Sequence, residues 1–388
     1  MARRGRPTAP APAPPPDNDD ILSEILLRLT PAPSSLPRAS LVCKRWRRLV
    51  TDPAFLRRFR ARHRRGAPLL GFFEGTPGIL FTPTLEPPDS LPRGCFSLET
   101  ADADEWRILG CRHGLVLLLH SEQIQVLVWD PVTGEQRRIA VPLGFLTSVG
   151  RMVCNGAVLR AAGDVHGGTE SSTFQVVLLG NDPELTRAFV CVYSSENGVW
   201  RDPISVACPG TFVTCIPSAF VGCSLYWYLI GDSAAILEFD LDMQRLALID
   251  MPVEVPPIVW VIPADGGALG FLYLSNRNVY LWKRAAGGDG VVGWVLWRTI
   301  ELKNLLPLTS DEALHPKKII GFAEDDKVLL IGIRTTDFIF TIQLESMKVM
   351  QFKSHLSLTR ICHPFSSVYT AGMGLDDEHE GNELLLDA

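Results

Sequence analysis

Residues 19–55 read DDILSEILLRLTPAPSSLPRASLVCKRWRRLVTDPAF, and this stretch contains three segments with helical spacing of apolar residues. In the first, residues 19–29, apolar positions alternate at intervals of one and three, which places them on one stripe of an α-helix. Asp19 and Asp20 stand where carboxylates stabilise the positive end of a helix. The following TPAP ends the pattern, so we predict a helix over residues 19–29.

Two more helices are predicted in the same stretch. The second starts at Ser34 and Ser35, tolerates Pro37 in its first turn and continues to residue 50, with one apolar and one basic face. Asp52 followed by Pro53 is the pattern of a helix cap and a first helical residue, so a third short helix runs from there to about residue 65. We therefore predict a small all-α unit of three helices.

The charge changes sign at the end of this unit. Residues 1–65 contain 15 of the 37 Lys and Arg and 5 of the 43 Asp and Glu, a net charge of +10. Residues 66–388 contain the other 22 and 38, a net charge of −16. The chain of 388 residues, 46% hydrophobic, is long enough for two domains, since a domain has roughly 100–200 residues. We predict a small basic module followed by a large acidic one.

The chain after residue 66 has the pattern of a β protein. Short apolar runs alternate with turns rich in Gly, Pro, Asn and Asp, and no long helical period occurs. The predicted strands comprise residues 115–119, 126–129, 174–179, 189–193, 225–230, 235–239, 270–274, 279–282, 295–298, 328–333 and 338–343.

A loose repeat runs through this β region. A glycine beside an apolar strand recurs six times, at Gly71, Gly114, Gly156, Gly222, Gly267 and Gly321. The intervals of 43, 42, 66, 45 and 54 residues are close to the roughly 40–50 residues of a propeller blade, if the long interval holds an insertion near residues 163–170. We predict a β-propeller of about six blades; the alternative is a set of packed β-sheets without true repeats.

Several classes of protein are disfavoured by the composition. No apolar run approaches the roughly 18 residues of a membrane helix, and residues 1–16 lack the apolar core of a secretory signal. The nine cysteines are scattered without a Cys-x-x-Cys pair, which is typical of reduced thiols. We expect no membrane segment and a cytoplasmic or nuclear location, with disordered tails at residues 1–16, rich in Pro, Ala and Arg, and at the acidic residues 371–388.

The sequence shows no familiar signature of catalysis or of cofactor or metal binding. Nucleophile-elbow, phosphate-loop and zinc-helix motifs do not occur, and the eight histidines are dispersed. Asp240 and Asp242 resemble part of a calcium loop but lack its later ligands, so we interpret them as a hairpin end; His113 and the acidic residues 324–326 are interpreted as turns. We expect no catalytic residue, no cofactor and no metal. We interpret the basic residues 44–65 as a solvated face, or as one that complements an acidic adaptor or the acidic half of the chain, and expect no nucleic-acid binding.

The three helical segments resemble the F-box. The matching motifs are DILSEILLRL (residues 20–29), LPRASLVCKRWRRLV (36–50) and DPAF (52–55), within residues 17–65. The family usually begins with Leu-Pro, whereas residues 16–18 here are Pro-Asp-Asn. Residues 66–370 resemble the F-box-associated β domains of plant F-box proteins, in GLVLLL (114–119), VWDPVTG (128–134), VYSSENGVW (192–200), LYW (225–227), ILEFDL (236–241) and residues 294–302.

The resemblance implies a partner for the surplus apolar side chains of the small helical unit. F-boxes bind the Skp-type adaptor of a cullin-RING ubiquitin ligase, and a unit of about 45 residues shows more large apolar residues than it can hide. The predicted adaptor-binding residues are Ile21, Leu22, Ile25, Leu26, Leu29, Leu36, Leu41, Val42, Cys43, Trp46 and Leu49.

The function implied is that of the substrate-recognition subunit of an SCF-type (Skp-cullin-F-box) E3 ubiquitin ligase, without catalysis of its own. The alternative is a β-propeller scaffold or binding protein whose degenerate F-box has lost its adaptor. The target protein and the residues that bind it are not predicted, and only loop length and polarity point to residues 163–170, 287–290 and 309–316.

Overall fold

The structure is a computed structural model. It describes residues 19–370 except 65, 76–77, 93, 99–104, 121, 151–152, 161–172, 232, 253–254, 287–291, 308–316, 334–337 and 354–359. The two predicted tails, residues 16–18 and the three loops named above therefore lie outside the described residues.

Four helices form the N-terminal part of the described chain. They are α1 (Asp19–Leu26), α2 (Ser35–Ser40), α3 (Lys44–Thr51) and α4 (Pro53–His63). The first and third predicted helices are present, but the second is divided, because Cys43 adopts an extended backbone with φ −165° and ψ 168°. The break at residues 41–43 turns Leu41 and Val42 into exposed residues between two helices.

The helices enclose a small core of their own. Its largest members, Leu22, Leu26, Phe55 and Phe59, are almost fully buried. Asp52 stabilises the start of α4, since its Oδ1 accepts a hydrogen bond of 2.8 Å from the backbone N–H of Phe55. Val368, which follows the last strand of the β domain, completes this core and so attaches the helical unit to the β domain.

Twenty-five strands follow within the described residues, and they form six sheets. The first sheet contains β1 (Leu69–Gly75), β2 (Ile79–Pro83) and β25 (Cys362–Ser366), and the second contains β3 (Trp106–Arg112), β4 (Leu115–His120), β5 (Gln125–Trp129) and β6 (Gln136–Ala140). The third contains β7 (Val153–Arg160), β8 (Phe174–Asn181), β9 (Arg187–Ser194), β10 (Val199–Trp200) and β11 (Ile204–Ala207). The fourth contains β12 (Thr211–Val213), β13 (Ala219–Val221), β14 (Ser224–Gly231), β15 (Ala235–Asp240) and β16 (Arg245–Asp250).

The last two sheets are four-stranded meanders. The fifth contains β17 (Trp260–Pro263), β18 (Leu269–Ser275), β19 (Asn278–Ala286) and β20 (Val292–Glu301). The sixth contains β21 (Lys317–Ala323), β22 (Val328–Ile333), β23 (Phe338–Gln343) and β24 (Val349–Lys353). Two short helices, α5 (Leu143–Ser148) and α6 (Leu302–Leu305), lie in connections.

The six sheets are the blades of a closed β-propeller. The innermost strands β25, β3, β7, β13, β17 and β21 contact one another or the neighbouring blade in that circular order. The ring closes because β25, from the C-terminal end of the described chain, pairs antiparallel with β1 of the first blade. A six-bladed propeller is thus confirmed, and packed sheets without repeats are excluded.

Each blade lies between two others, so its middle strands are buried on both faces. Along β4, Leu117 and Leu119 pack toward the third blade, whereas Val116 and Leu118 pack toward the first. Six apolar clusters of this kind separate successive blades and form the core of the domain. The continuous apolar runs in the sequence are the result of this two-sided burial.

The six glycines of the sequence repeat fall one in each blade, although not at one structural position. Gly114, Gly222 and Gly267 lie in turns between the first two strands of a blade and have positive φ angles. Gly321 lies in an innermost strand, where a Cβ atom would be 2.8 Å from the carbonyl oxygen of Cys362 in the next blade. The repeat therefore has two physical causes, tight turns and close approach of the backbone of a neighbouring strand.

Candidate functional site

Four large apolar side chains are exposed on the helical unit. Ile21 and Ile25, one helical turn apart on α1, are 52% and 48% exposed, and Leu41 and Val42, between α2 and α3, are 76% and 61% exposed. Helix α3 contacts both α1 and α2, so the two pairs belong to one small domain. These exposed apolar groups are available for contact with a partner protein.

The eleven predicted adaptor-binding residues divide into three groups by burial. Leu22, Leu26 and Leu36 belong to the helical core, and Leu29, Trp46 and Leu49 are partly buried against it. The exposed members are Ile21, Ile25, Leu41, Val42 and Cys43. That these residues bind an adaptor stays a prediction, and the core members would act through the shape of the domain.

Several basic side chains of the helices are paired within the protein. Arg45 and Arg48 bind the carboxylate of Asp19 at 2.6 and 2.9 Å, and these contacts, led by the hydrogen bond from Arg45, lower the pKa of Asp19. Arg58 is paired with Glu24. The absence of nucleic-acid binding stays a prediction.

Two hydrogen bonds hold the helical unit on the propeller. The guanidinium of Arg60 donates to Thr370 Oγ1 at 2.7 Å, and the backbone N–H of Ser34 donates to Asp89 Oδ1 at 2.9 Å. Together with buried Val368, these contacts place the helical unit at the face of the propeller where β25 ends. The same face contains the turns that follow the innermost strands β3 and β21, because the innermost strands of a propeller run in one direction.

A cavity of about 350 Å³ opens on this face at the centre of the ring. Its lining residues come from the innermost strands of five blades or from the turns beside these strands. The lining residues are Cys111, Arg112, His113, Pro217, Ser218, Phe220, Trp260, Val261, Pro263, Phe322, Ala323, Glu324, Asp325, His363, Pro364 and Ser366.

A partly buried ion pair crosses this cavity. Nη2 of Arg112, in the second blade, lies 2.8 and 3.0 Å from the two carboxylate oxygens of Glu324 in the sixth. The same guanidinium donates to the carbonyl oxygen of Ser218 in the fourth blade at 3.0 Å and lies over the ring of Phe220. Three alternate blades are thus connected at the centre of the ring.

Burial changes the protonation chemistry of the cavity. It raises the pKa of Glu324, although Arg112 opposes the shift. Burial, assisted by the charge of Arg107, lowers the pKa of His363 to about 3, so this ring is neutral at physiological pH. Trp260 and His363 are 4% and 5% exposed, and Trp260 Nε1 and His363 Nδ1 have no hydrogen-bond partner among the described residues.

The sequence predicted the turns that line this cavity, but it did not predict that they come together in one site. Residues 324–327 form the β21–β22 turn, and His113 lies in the β3–β4 turn with φ 55°, both as predicted. Asp240 Oδ1 accepts hydrogen bonds from the N–H groups of Asp242 and Met243, which is the chemistry of the predicted hairpin end. The contact between Arg112 and Glu324 could not be predicted from a local pattern, because the two residues are 212 positions apart in the sequence.

The described residues contain no candidate metal site and no candidate membrane-spanning helix. No cluster of three or more His, Cys, Asp or Glu side chains there has the arrangement of a metal site. No helix in that part of the chain is long and apolar enough to cross a membrane.

Comparison with known families and proteins identifies the helical unit. The family model described as F-box-like matches residues 19–62. The chain is 21% identical over 370 residues to "F-box protein At5g03970" of Arabidopsis thaliana, which covers 88% of this chain and 84% of the relative. It is 24% identical over 353 residues to "F-box protein At5g07610" of the same plant, covering 80% and 78%.

Other similarities are shorter or structural. "Putative F-box protein At1g33530" of Arabidopsis thaliana is 26% identical over 170 residues, which cover 42% of this chain and 34% of the relative. Among solved structures, TolB from Acinetobacter baumannii is similar with a TM-score of 0.42 and 10% identity, over 81% of this chain and 71% of TolB.

Proposed function

Because residues 19–62 form an F-box-like domain in front of a six-bladed β-propeller, we propose that the protein is the substrate-recognition subunit of an SCF-type E3 ubiquitin ligase. The F-box-like domain binds a Skp-type adaptor and, through it, a cullin-RING ligase. The propeller captures the target protein. The chain makes and breaks no bond itself; it raises the effective concentration of target lysines near the ubiquitin-charged enzyme. It acts in the cytoplasm, the nucleus or both.

The exposure of Ile21, Ile25, Leu41 and Val42 is the observation that supports this proposal best. Full burial of one such side chain contributes roughly 1.5–3 kcal/mol, before the costs of association. Four side chains that are about half exposed or more therefore supply a large part of the binding free energy, and other contacts of the domain supply the rest.

The attachment of the F-box-like domain to the propeller supports the second half of the proposal. A receptor subunit must hold its target at a defined place relative to the ligase. The contacts of Arg60 with Thr370 and of Ser34 with Asp89, and the burial of Val368, restrict how the two domains can move relative to each other.

Co-precipitation with a purified Skp-type adaptor tests the proposal. The wild-type chain should retain the adaptor, and the double variant Ile25→Asp, Leu41→Asp should lose it. Leu143→Asp is the matched control, because Leu143 is 77% exposed on the propeller. Circular dichroism checks that all three proteins are folded. Failure of the wild-type chain to bind would contradict the ligase function and favour a propeller scaffold with a degenerate F-box.

A further inference from the structure

The central cavity has an excess of negative charge at its mouth. Among its lining residues, Arg112 is the one side chain with a permanent positive charge, and it is already bonded to Glu324 and Ser218. Asp325 also lines the cavity and is exposed, and no cation pairs with it among the described residues. A ligand that enters this mouth therefore meets an uncompensated carboxylate.

Basic groups nearby are occupied elsewhere. Arg160 is bonded to Asp130 at 2.6 Å. Lys327, two residues after Asp325, binds Asp265 and Glu345 at 2.9 and 2.7 Å. Neither of these cations therefore pairs with Asp325.

The walls of the cavity suit the stem of a long basic side chain. Phe220, Trp260 and Phe322 provide aromatic surface, and three prolines, Pro217, Pro263 and Pro364, provide further apolar surface. Lysine and arginine bury their methylene chains against such surface while the charged end reaches a carboxylate, and aromatic faces attract the cation. The ring of Phe220 already lies 5.8 Å from the guanidinium carbon of Arg112.

The size of the cavity favours a polypeptide as the source of this side chain. A peptide supplies a carbonyl oxygen and an N–H beside every side chain, so it can also bond to polar groups at the mouth of the cavity next to its basic residue. A cavity of about 350 Å³ holds one long side chain with adjacent backbone.

We propose that this cavity binds a target segment by accepting an arginine or lysine side chain, with Asp325 and Glu324 as its anionic partners and Phe220, Trp260 and Phe322 as its walls. The inference rests on the proposed function in so far as the segment belongs to a protein captured for ubiquitination. An acidic or phosphorylated segment is disfavoured, since it would meet Asp325 and compete with Glu324 for Arg112. Residues 66–370 contain 22 Lys and Arg against 32 Asp and Glu, and this net charge attracts basic segments.

Selection from a displayed library of random dodecapeptides on the full chain tests the proposal. We expect enrichment of arginine or lysine at one position, with apolar neighbours. Fluorescence anisotropy of the best labelled peptide then measures its affinity. Replacing its basic residue by glutamine should weaken binding at least tenfold.

Protein variants locate the binding site. Asp325→Lys should weaken the same peptide at least tenfold, and Asp325→Asn should weaken it less. Glu184→Lys makes the same charge change on an exposed residue of the β8–β9 turn, on the opposite face, and should alter binding less than twofold. Because Asp325 is exposed, these changes should leave the melting temperature within a few degrees of the wild type.

Three results would overturn the assignment: no enriched peptide, enrichment of acidic peptides, or unchanged binding by Asp325→Lys. The outcome is separable from that of the ligase function. Basic peptides selected by a chain that does not bind the adaptor would support the cavity and contradict the ligase function. Adaptor binding without selection of basic peptides would contradict the cavity alone.

Discussion

Individual residues of the F-box-like domain can be explained by local chemistry. Asp52 receives the N–H of Phe55, Pro53 occupies the first helical position of α4, and Phe55 is buried in the helical core. The motif DPAF therefore begins helix α4 and also contributes Phe55 to the helical core. The family pattern at this point reflects folding of the domain.

This explanation predicts a measurable loss of stability. Asp52→Ala removes the acceptor for the Phe55 N–H and should lower the free energy of unfolding by about 1 kcal/mol. Asp52→Asn retains an acceptor and should cost much less. Urea unfolding followed by circular dichroism distinguishes the two, and equal losses would contradict the capping role.

Glu74 is a buried acid that destabilises the folded protein by an amount that depends on pH. It is 1% exposed, and the side chain of Cys362, its cross-strand partner on β25, lies beside its carboxylate. Burial raises its pKa from 4.5 to about 7, and Cys362 and Arg360 offset this only in part. Since the folded pKa exceeds the unfolded one, the folded state binds more protons between these pH values, and stability falls as pH rises through them.

Glu74→Gln removes this titration. Relative to the wild type, the free energy of unfolding of the variant should rise by about 3 kcal/mol between pH 4 and pH 8. Any loss from the unsatisfied amide is the same at both pH values and cancels in the comparison. Urea unfolding of both proteins at the two pH values is the measurement, and a difference that does not change with pH would disprove the raised pKa.

At the scale of elements, burial decides which strands can be predicted from the sequence. All eleven predicted strands correspond to β4, β5, β8, β9, β14, β15, β18, β19, β20, β22 and β23, most of which are middle strands buried on both faces. Innermost strands were missed, because β3 (WRILGCR) and β21 (KKIIGFA) combine charged residues with glycine. The outer strand β6 (QRRIA) was missed because it is mostly exposed.

The apolar surface of the helical unit and the central cavity also differ in how well they can be predicted from the sequence. The apolar stripe of α1 was predicted because helical spacing is local, although which of its residues face outward, Ile21 and Ile25, emerged with the structure. The cavity was not predicted, since Arg112, Ser218 and Glu324 come from three different blades. Side chains brought together by ring closure have no common pattern in the sequence.

Because Arg112 and Glu324 form an ion pair, we expect substitutions of the two residues to have strongly non-additive effects on stability. Glu324→Gln or Arg112→Met alone leaves one partly buried charge without its partner and should destabilise by about 1–3 kcal/mol. The double variant removes both charges, so it should be clearly more stable than the sum of the two losses predicts. Urea unfolding of the four proteins measures the coupling, and additive losses would show that the pair is not coupled.

At the scale of the whole molecule, stability depends on closing the ring. Strand β25 joins the last part of the described chain to the first blade, and its Phe365 is 1% exposed among Phe73, Phe81 and Phe96. The sequence predicted the number of blades from glycine spacing. It did not predict that the first blade takes its innermost strand from residues 362–366, because that pairing joins distant parts of the chain.

Removing the ring of Phe365 should lower the stability of the entire propeller. Phe365→Ala should lower the free energy of unfolding by about 3–5 kcal/mol, since it leaves a cavity at the closure. Phe212→Ala is the control at a side chain 45% exposed and should cost far less. Thermal and urea unfolding measure both, and similar losses for the two variants would contradict the importance of the closure.

The central claim is that the F-box-like domain binds a Skp-type adaptor through its exposed apolar residues. Isothermal titration of the adaptor into the full chain measures this directly. The wild type should bind with Kd of about 1 μM or tighter, and Ile25→Asp with Leu41→Asp should weaken binding by about 100-fold or more. Leu143→Asp should bind as the wild type does. No binding by the wild-type chain, or undiminished binding by the double variant, would contradict the claim.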